Sequence, residues 1–400
     1  MKSICLYFQV HLPFRYRRYR FFDIGNDHYY YDDYSNETII KKLAEKNYLP
    51  ANELLLKLAH KLEGKFKVSF SITGLDLEQF ELYSPEVIES FKKLSKTGCI
   101  EFLSGTYSNT LSSFKNPCIF EKQVKLHEER IFDLFGQKSR VFMNTEMIYS
   151  DEIGALVAKM GYKSVLTEGA RHILGWKSPN FVYVNAINPK MKILMRNFKL
   201  SDDISSYFSD KSEFDYPLIA EKITGWLEKI DQKEEVINIF LNYELFGELQ
   251  LGENCISDIW ENFAMLIAKN PTMKFATPSE IIEELQPVSI VNVPNPISWA
   301  NEERDLTLWL GNDMQKEACE KLYSLGERME KCSNAELHKD WNYLQASDHF
   351  YYMSTKNYLH NNSKNLSNPF DTPYEAFINY MNILSDFKIR LNSFVTEHEI

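Results

Sequence analysis

Short β-rich runs alternate with longer amphipathic stretches through residues 1–285, and this alternation constrains the fold more than any other feature. Runs of β-branched and aromatic residues place strands at Ile4–Val10, Phe66–Ile72, Ile100–Leu103, Arg140–Phe142, Lys163–Leu166, Phe181–Val184, Lys192–Leu194, Val236–Leu241 and Phe275–Thr277. Helices are expected between them at Ala51–Leu62, Pro85–Lys96, Phe120–Phe135, Ser150–Met160, Tyr216–Lys229 and Asp258–Lys269. Ser84-Pro85-Glu86-Val87 and Thr277-Pro278-Ser279-Glu280 both put a hydroxyl residue at a helix cap and proline at the first helical position. Strand–helix alternation on this scale implies an α/β protein with a mainly parallel sheet or barrel. The number and shortness of the strands favour the barrel.

The pattern changes after residue 285. Residues 286–298 contain Pro287, Pro294 and Pro296 and read as a linker. Beyond them Trp299–Arg328, Ala335–Gln345 and Tyr374–Val395 carry helical periodicity without a clear strand, so 299–400 is expected to be an α-helical C-terminal domain packed on the barrel.

Charge and cysteine usage narrow the function classes. With 45 Lys+Arg against 56 Asp+Glu, the net charge of −11 argues against a nucleic-acid or anionic-membrane partner. No apolar run reaches the ~18 residues of a membrane span. The opening Met1–Val10 runs into His11 and Arg15–Arg20 without a small-residue cleavage site, so it reads as a first strand rather than a signal peptide. Six scattered cysteines form no Cys-x-x-Cys pair, which points to reduced thiols and a cytoplasmic location, with neither a zinc cluster nor a disulfide scaffold. No cofactor and no metal is expected.

Active sites of such barrels lie at the C-terminal ends of the strands. The first strand leads into His11, the fourth into Asn144-Thr145-Glu146, and a late one into Asn242-Tyr243-Glu244-Leu245-Phe246-Gly247-Glu248. One histidine and three glutamates are raw material for acid/base or nucleophilic chemistry. A lone histidine after a first strand is also the pattern of a buried structural side chain, and a strand-end glutamate can equally cap a loop or hold an ion pair. The run Tyr29–Tyr34 reads as a packed surface loop. Aromatic residues, 14% of the chain, can stack on sugar faces, although most belong to the core.

The same segments resemble glycoside hydrolase family 57, in its α-amylase branch, from end to end. Ile4–Arg15 with Tyr19–Gly25, Val141–Glu146, Asn242–Glu248, Ile297–Leu306 and Ser347–Met353 are similar to that branch's signatures in the right order. The resemblance implies an incomplete seven-stranded (β/α) barrel with a helical C-terminal domain. It also implies a metal-free retaining mechanism on α-1,4-glucans or maltooligosaccharides, in which two carboxyls ~5–5.5 Å apart act as nucleophile and acid/base. The matching positions are Glu146 for the nucleophile and 242 for the acid/base. His11, Tyr107, Asn109, Glu244, Trp299 and Asp348 match positions expected to bind substrate.

Position 242 holds Asn where the family pattern has Asp, and an amide can neither protonate a glycosidic oxygen nor deprotonate water. Further departures run in the same direction: Leu12 for Gln, Gly105 for Glu, Asn109 for His, Met143 for Arg, Tyr207 for Arg, Leu249 for His, Leu251 for Trp and Asn301 for Asp. If the strand stays extended past 242, Glu244 shares its side and lies ~6–7 Å further along, so Glu244 or Glu248 with Glu146 could form only an inverting pair. Two functions therefore compete. One is an α-amylase-like hydrolase or glucanotransferase with weak or lost turnover. The other is a silent relative that binds α-glucan, self-associates or supports an active paralogue. A metal-dependent deacetylase on a similar barrel would need a His-x₃₋₄-His pair, which does not accompany His11, Asp202 and Asp203.

Overall fold

The computed structural model describes residues 1–209, 219–246, 255–356 and 368–398. Ten strands form one sheet: β1 (Lys2–Val10), β2 (Val68–Ile72), β3 (Ile100–Phe102), β4 (Val141–Met143), β5 (Ser164–Glu168), β6 (Val182–Asn185), β7 (Lys192–Arg196), β8 (Val236–Asn242), β9 (Met273–Phe275) and β10 (Ser289–Val291). Seven of them close a parallel ring in the order β1-β2-β3-β4-β5-β7-β8. Two seams are thin. β3 meets β4 only through the parallel bridge Ser104↔Phe142, and β7 meets β8 only at Arg196↔Asn238. β9 pairs with the first residues of β1, while β6 lies antiparallel outside β7.

Period-two alternation explains why β1 is apolar on both sides. Ile4, Leu6, Phe8 and Val10 pack outward among helix residues such as Leu55 and Leu58. Cys5 and Tyr7 pack inward with Met143, Leu166, Leu194 and Phe240. A strand buried on both faces needs a nearly continuous hydrophobic run.

The nine expected strands are present, with boundaries shifted by no more than about two residues. β10 was unforeseen. It lies inside the proline-rich stretch 286–298 and pairs with β6, and the same stretch is laced to the barrel by Val293 N–H to Asp151 (2.7 Å) and the Tyr149↔Ile297 bridge. Helices Asp33–Leu43, Gly74–Tyr83 and Phe198–Ser209 were also unforeseen. The single helix expected over Trp299–Arg328 is instead Thr307–Leu310, Asp313–Tyr323 and Gly326–Lys331, because the chain turns through 299–306. Thr277 forms its capping box with Glu280, but the Ser84 hydroxyl makes no cap bond. The start of the helix expected at Tyr216 lies outside the described residues.

After residue 291 the described elements are all helical. Their core, including Trp309, Leu322, Leu344 and Phe387, is continuous with barrel residues Phe142, Tyr149 and Val157. The segment after β1 is strapped to the helix Pro373–His398 by Tyr30 Oη to Asp386 (2.6 Å) and Tyr19 N–H to Asn379 (2.6 Å). This strap fixes the exit of β1 against the helical region, where one wall of the site is built. No described helix is long and apolar enough to cross a membrane.

Candidate active site

A cleft of about 230 Å³ opens where the C-terminal ends of β1, β4 and β8 face the helical region. His11, Glu146, Asn242, Glu244, Trp299 and Asp348 all line it, joined by Gln9, Trp309, Ser347 and Tyr351. The chain thus brings together six of the positions singled out in the sequence.

Glu146 follows β4 in the turn Thr145–Met147. Its φ is 50° and that of Met147 is 51°, two successive non-glycine residues in the left-handed region. Each such residue costs ~1–3 kcal/mol and persists only where its surroundings over-determine it. Here Met147 is fully buried, its N–H donates to the Asn144 carbonyl (2.9 Å), and its own carbonyl accepts from Thr167 Oγ1 (3.2 Å). The turn swings the Glu146 carboxyl into the cleft, where Oε2 accepts from Trp299 Nε1 (2.9 Å) and Oε1 from Asn109 Nδ2 (3.4 Å). Burial, and then the nearby Asp348 charge, raise the Glu146 pKa; His11 and the two donors pull against them.

His11 is clamped at both ring nitrogens. Nε2 lies 2.6 Å from Asp348 Oδ2, while Nδ1 lies 3.1 Å from Thr73 Oγ1 and 3.5 Å from Asp76 Oδ2. Burial alone would lower its pKa, but Asp348 and then Asp76 outweigh burial and hold it well above the ordinary value. Burial pushes Asp348 the other way, yet the His11 charge and hydrogen bond keep it below the usual carboxylate range. The pair is an imidazolium–carboxylate bridge between the first strand and the helical region, buried yet lining the cleft.

Asn242 ends β8 in register with Gln9 of β1. The extended geometry does not continue beyond it: a 3₁₀ turn, Tyr243–Phe246, begins at once. The extrapolation that set Glu244 two strand residues further along therefore fails, although Glu244 still reaches the cleft. Its Oε1 accepts from Tyr48 Oη (2.8 Å), and its carbonyl accepts from Asn47 Nδ2 (2.5 Å). Burial raises its pKa to about 7. A carboxyl held protonated by the fold contributes stability at low pH that is lost as pH rises from the unfolded value of ~4.3 through that folded value. Glu244→Gln should remove this part of the slope, so thermal midpoints of native and variant chains diverge between about pH 4.5 and 7.

Tyr107 and Asn109 are placed differently from the rest. The Tyr107 hydroxyl donates to Glu78, and its ring packs against Gly74, where an added Cβ would lie 2.3 Å from it. Tyr107 is not among the residues that line the cleft. Asn109, at φ 51°, stands behind the cleft wall and bonds Ser347 Oγ (3.1 Å) as well as Glu146. Leu12 and Met143 are buried in the hydrophobic cores, so both departures from the family pattern placed an apolar side chain where it packs. Glu248, Leu249 and Leu251 lie outside the described residues, as does the side chain of Tyr207.

Gln9 was passed over in the sequence. It is 7% exposed, lines the cleft beside Asn242, and its Oε1 accepts no hydrogen bond from the described residues. Strand alternation could have found it, since Cys5, Tyr7 and Gln9 share the inward face of β1. Among the described residues, no group of three or more His, Cys, Asp and Glu side chains is arranged to hold a metal ion.

A parallel barrel with carboxyls converging at its strand ends is an arrangement that can support acid/base and nucleophilic chemistry. The profile of Glycosyl hydrolase family 57 matches residues 5–294, and the chain belongs to that family. A curated relative from Methanocaldococcus jannaschii, named "Putative alpha-amylase", is 37% identical over 405 aligned residues, covering 98% of this chain and 85% of its own. Among solved structures, the 4-alpha-glucanotransferase of Thermococcus litoralis aligns with TM-score 0.69 at 14% identity over 97% of this chain. The chain spans 60% of that enzyme's length. The alpha-amylase AmyC of Thermotoga maritima aligns with TM-score 0.68 at 14% identity, over 99% of this chain and 95% of its own. At these identities the two structures establish the shared fold.

Proposed function

We propose that the cleft takes an α-1,4-glucan or maltooligosaccharide, with Glu146 as the nucleophile of a retaining-type site whose turnover is weak or lost for want of a proton donor at Asn242. One observation carries this reading: a half-buried, doubly hydrogen-bonded carboxyl shares the cleft with an amide at the strand end where the acid/base would stand. In a retaining reaction Glu146 attacks the anomeric carbon while a second group protonates the departing sugar oxygen. Asn242 has no titratable proton to give, and it cannot later take one from water. His11 and Asp348 already spend their charges on each other, so they serve to bind and orient rather than to supply the proton. A reducing cytoplasm suits the free thiols of Cys5, Cys99, Cys118, Cys319 and Cys332.

Glu244 favours a second reading. A carboxyl with a pKa of about 7 in the cleft has the proton that Asn242 lacks, and with Glu146 as base it would cleave with inversion. Incubation with maltoheptaose, with products followed by proton NMR as they form, separates these readings. Slow release of α-anomers supports retention through Glu146, and β-anomers show the inversion that the Glu244 reading requires. Binding without products identifies a silent glucan-binding protein, to be tested next for self-association or a partner enzyme.

A further inference from the structure

We propose that Trp299 is the positioning residue of Glu146, acting through its indole N–H and braced from behind by a partly buried ionic cluster. The proposal builds on the assignment of Glu146 as nucleophile. Residues 297–299 grip both ends of the left-handed turn. Tyr149 and Ile297 exchange backbone hydrogen bonds of 3.1 and 2.9 Å, and Ser298 Oγ donates to the Glu146 carbonyl (2.9 Å). Trp299 Nε1 then reaches the carboxyl at the far end of the same side chain (2.9 Å).

The indole is itself held. The Arg196 guanidinium lies 5.5 Å from its ring centroid, and the Phe240 ring packs edge-on at 5.1 Å. Arg304, another left-handed residue at φ 54°, donates to the Trp299 carbonyl. Both arginines converge on Glu168 (3.0 and 3.8 Å) and Asp202, with Arg304 2.8 Å from the latter. Arg196 and Glu168 are essentially inaccessible, so the brace has little freedom to shift.

An indole N–H is a donor only. Bonded to Oε2, it favours the ionised carboxylate and opposes the effect of burial. It also leaves Oε1, touched among the described residues only by the longer Asn109 contact, as the oxygen free to attack. Trp299, expected to contact substrate, lines the cleft and also packs its ring against Arg196 and Phe240.

The test compares native, Trp299→Phe and Arg304→Ala chains by two readouts. The first is a titration of the Glu146 carboxyl by isotope-edited NMR. The second is the pH profile of fluoride release from α-maltosyl fluoride. In that step Glu146 forms a bond to the anomeric carbon as the carbon–fluorine bond breaks, and fluoride leaves with the electron pair without a proton. Trp299→Phe should raise both midpoints by ~1 pH unit, with release ~10-fold slower below them. Arg304→Ala should move them the same way by less. Unchanged titration midpoints in the folded variants overturn the proposal. A native chain that releases no fluoride while the titration still shifts would refute Glu146 as nucleophile and leave its positioning by Trp299 standing.

Discussion

Replacing Asn242 with Asp is expected to raise maltoheptaose cleavage by ~10²–10⁴-fold, the usual worth of a general acid/base. A sugar alkoxide is a poor leaving group, which places the effect toward the upper end. The new carboxyl would sit at the end of β8, in the cleft with Glu146 and Glu244. Neighbouring negative charge and partial burial both favour its protonated form, as a catalytic acid requires. Mass spectrometry of timed digests reads the result. A flat response would mean that the loss extends to the sugar contacts, and it would favour the binding-protein reading.

Asp348→Asn is expected to cost up to ~3 kcal/mol, because it strips the closer of two carboxylates from a buried imidazolium and leaves it only Asp76. The His11 side chain is 6% exposed and that of Asp348 18%. The pH dependence has a definite sign. His11, with its folded pKa raised, contributes stability that is fully present below its unfolded value of ~6.5 and is lost as pH rises through the folded value. Asp348, with its folded pKa lowered, contributes stability above ~3.9 that is lost as pH falls through the folded value. The pair's contribution should therefore be greatest between about pH 4 and 6.5. Calorimetry across that range should show the native chain's advantage over Asp348→Asn shrinking on either side. A constant difference would mean that the pair is not ionised in the folded protein.

Much of this site was legible because barrel chemistry collects at strand ends, and strands buried on both faces announce themselves as apolar runs. His11 follows such a run directly, Asn242 ends one, and Glu146 lies three residues beyond one. Trp299 and Asp348 do not; they come from the helical region, and only their likeness to family signatures marked them. The left-handed turn at Glu146 and Met147 was invisible, since neither residue type favours that conformation and only the packing around it imposes it. Glu244 was misplaced by carrying strand geometry one step too far, into a 3₁₀ turn. β10 was hidden by prolines flanking a three-residue edge strand, a position where proline is tolerated. Gln9 was readable by alternation alone, yet the charged and imidazole side chains beside it drew attention first.

The most direct test of the central claim is to expose the native chain to α-maltosyl fluoride and weigh the intact protein over time. If Glu146 is a competent nucleophile and Asn242 the missing acid/base, fluoride departs without protonation, and one maltosyl group accumulates on Glu146 because no base activates water to release it. Maltoheptaose would meanwhile stay nearly intact. No adduct and no fluoride, or maltoheptaose consumed as readily as the fluoride, would contradict the claim.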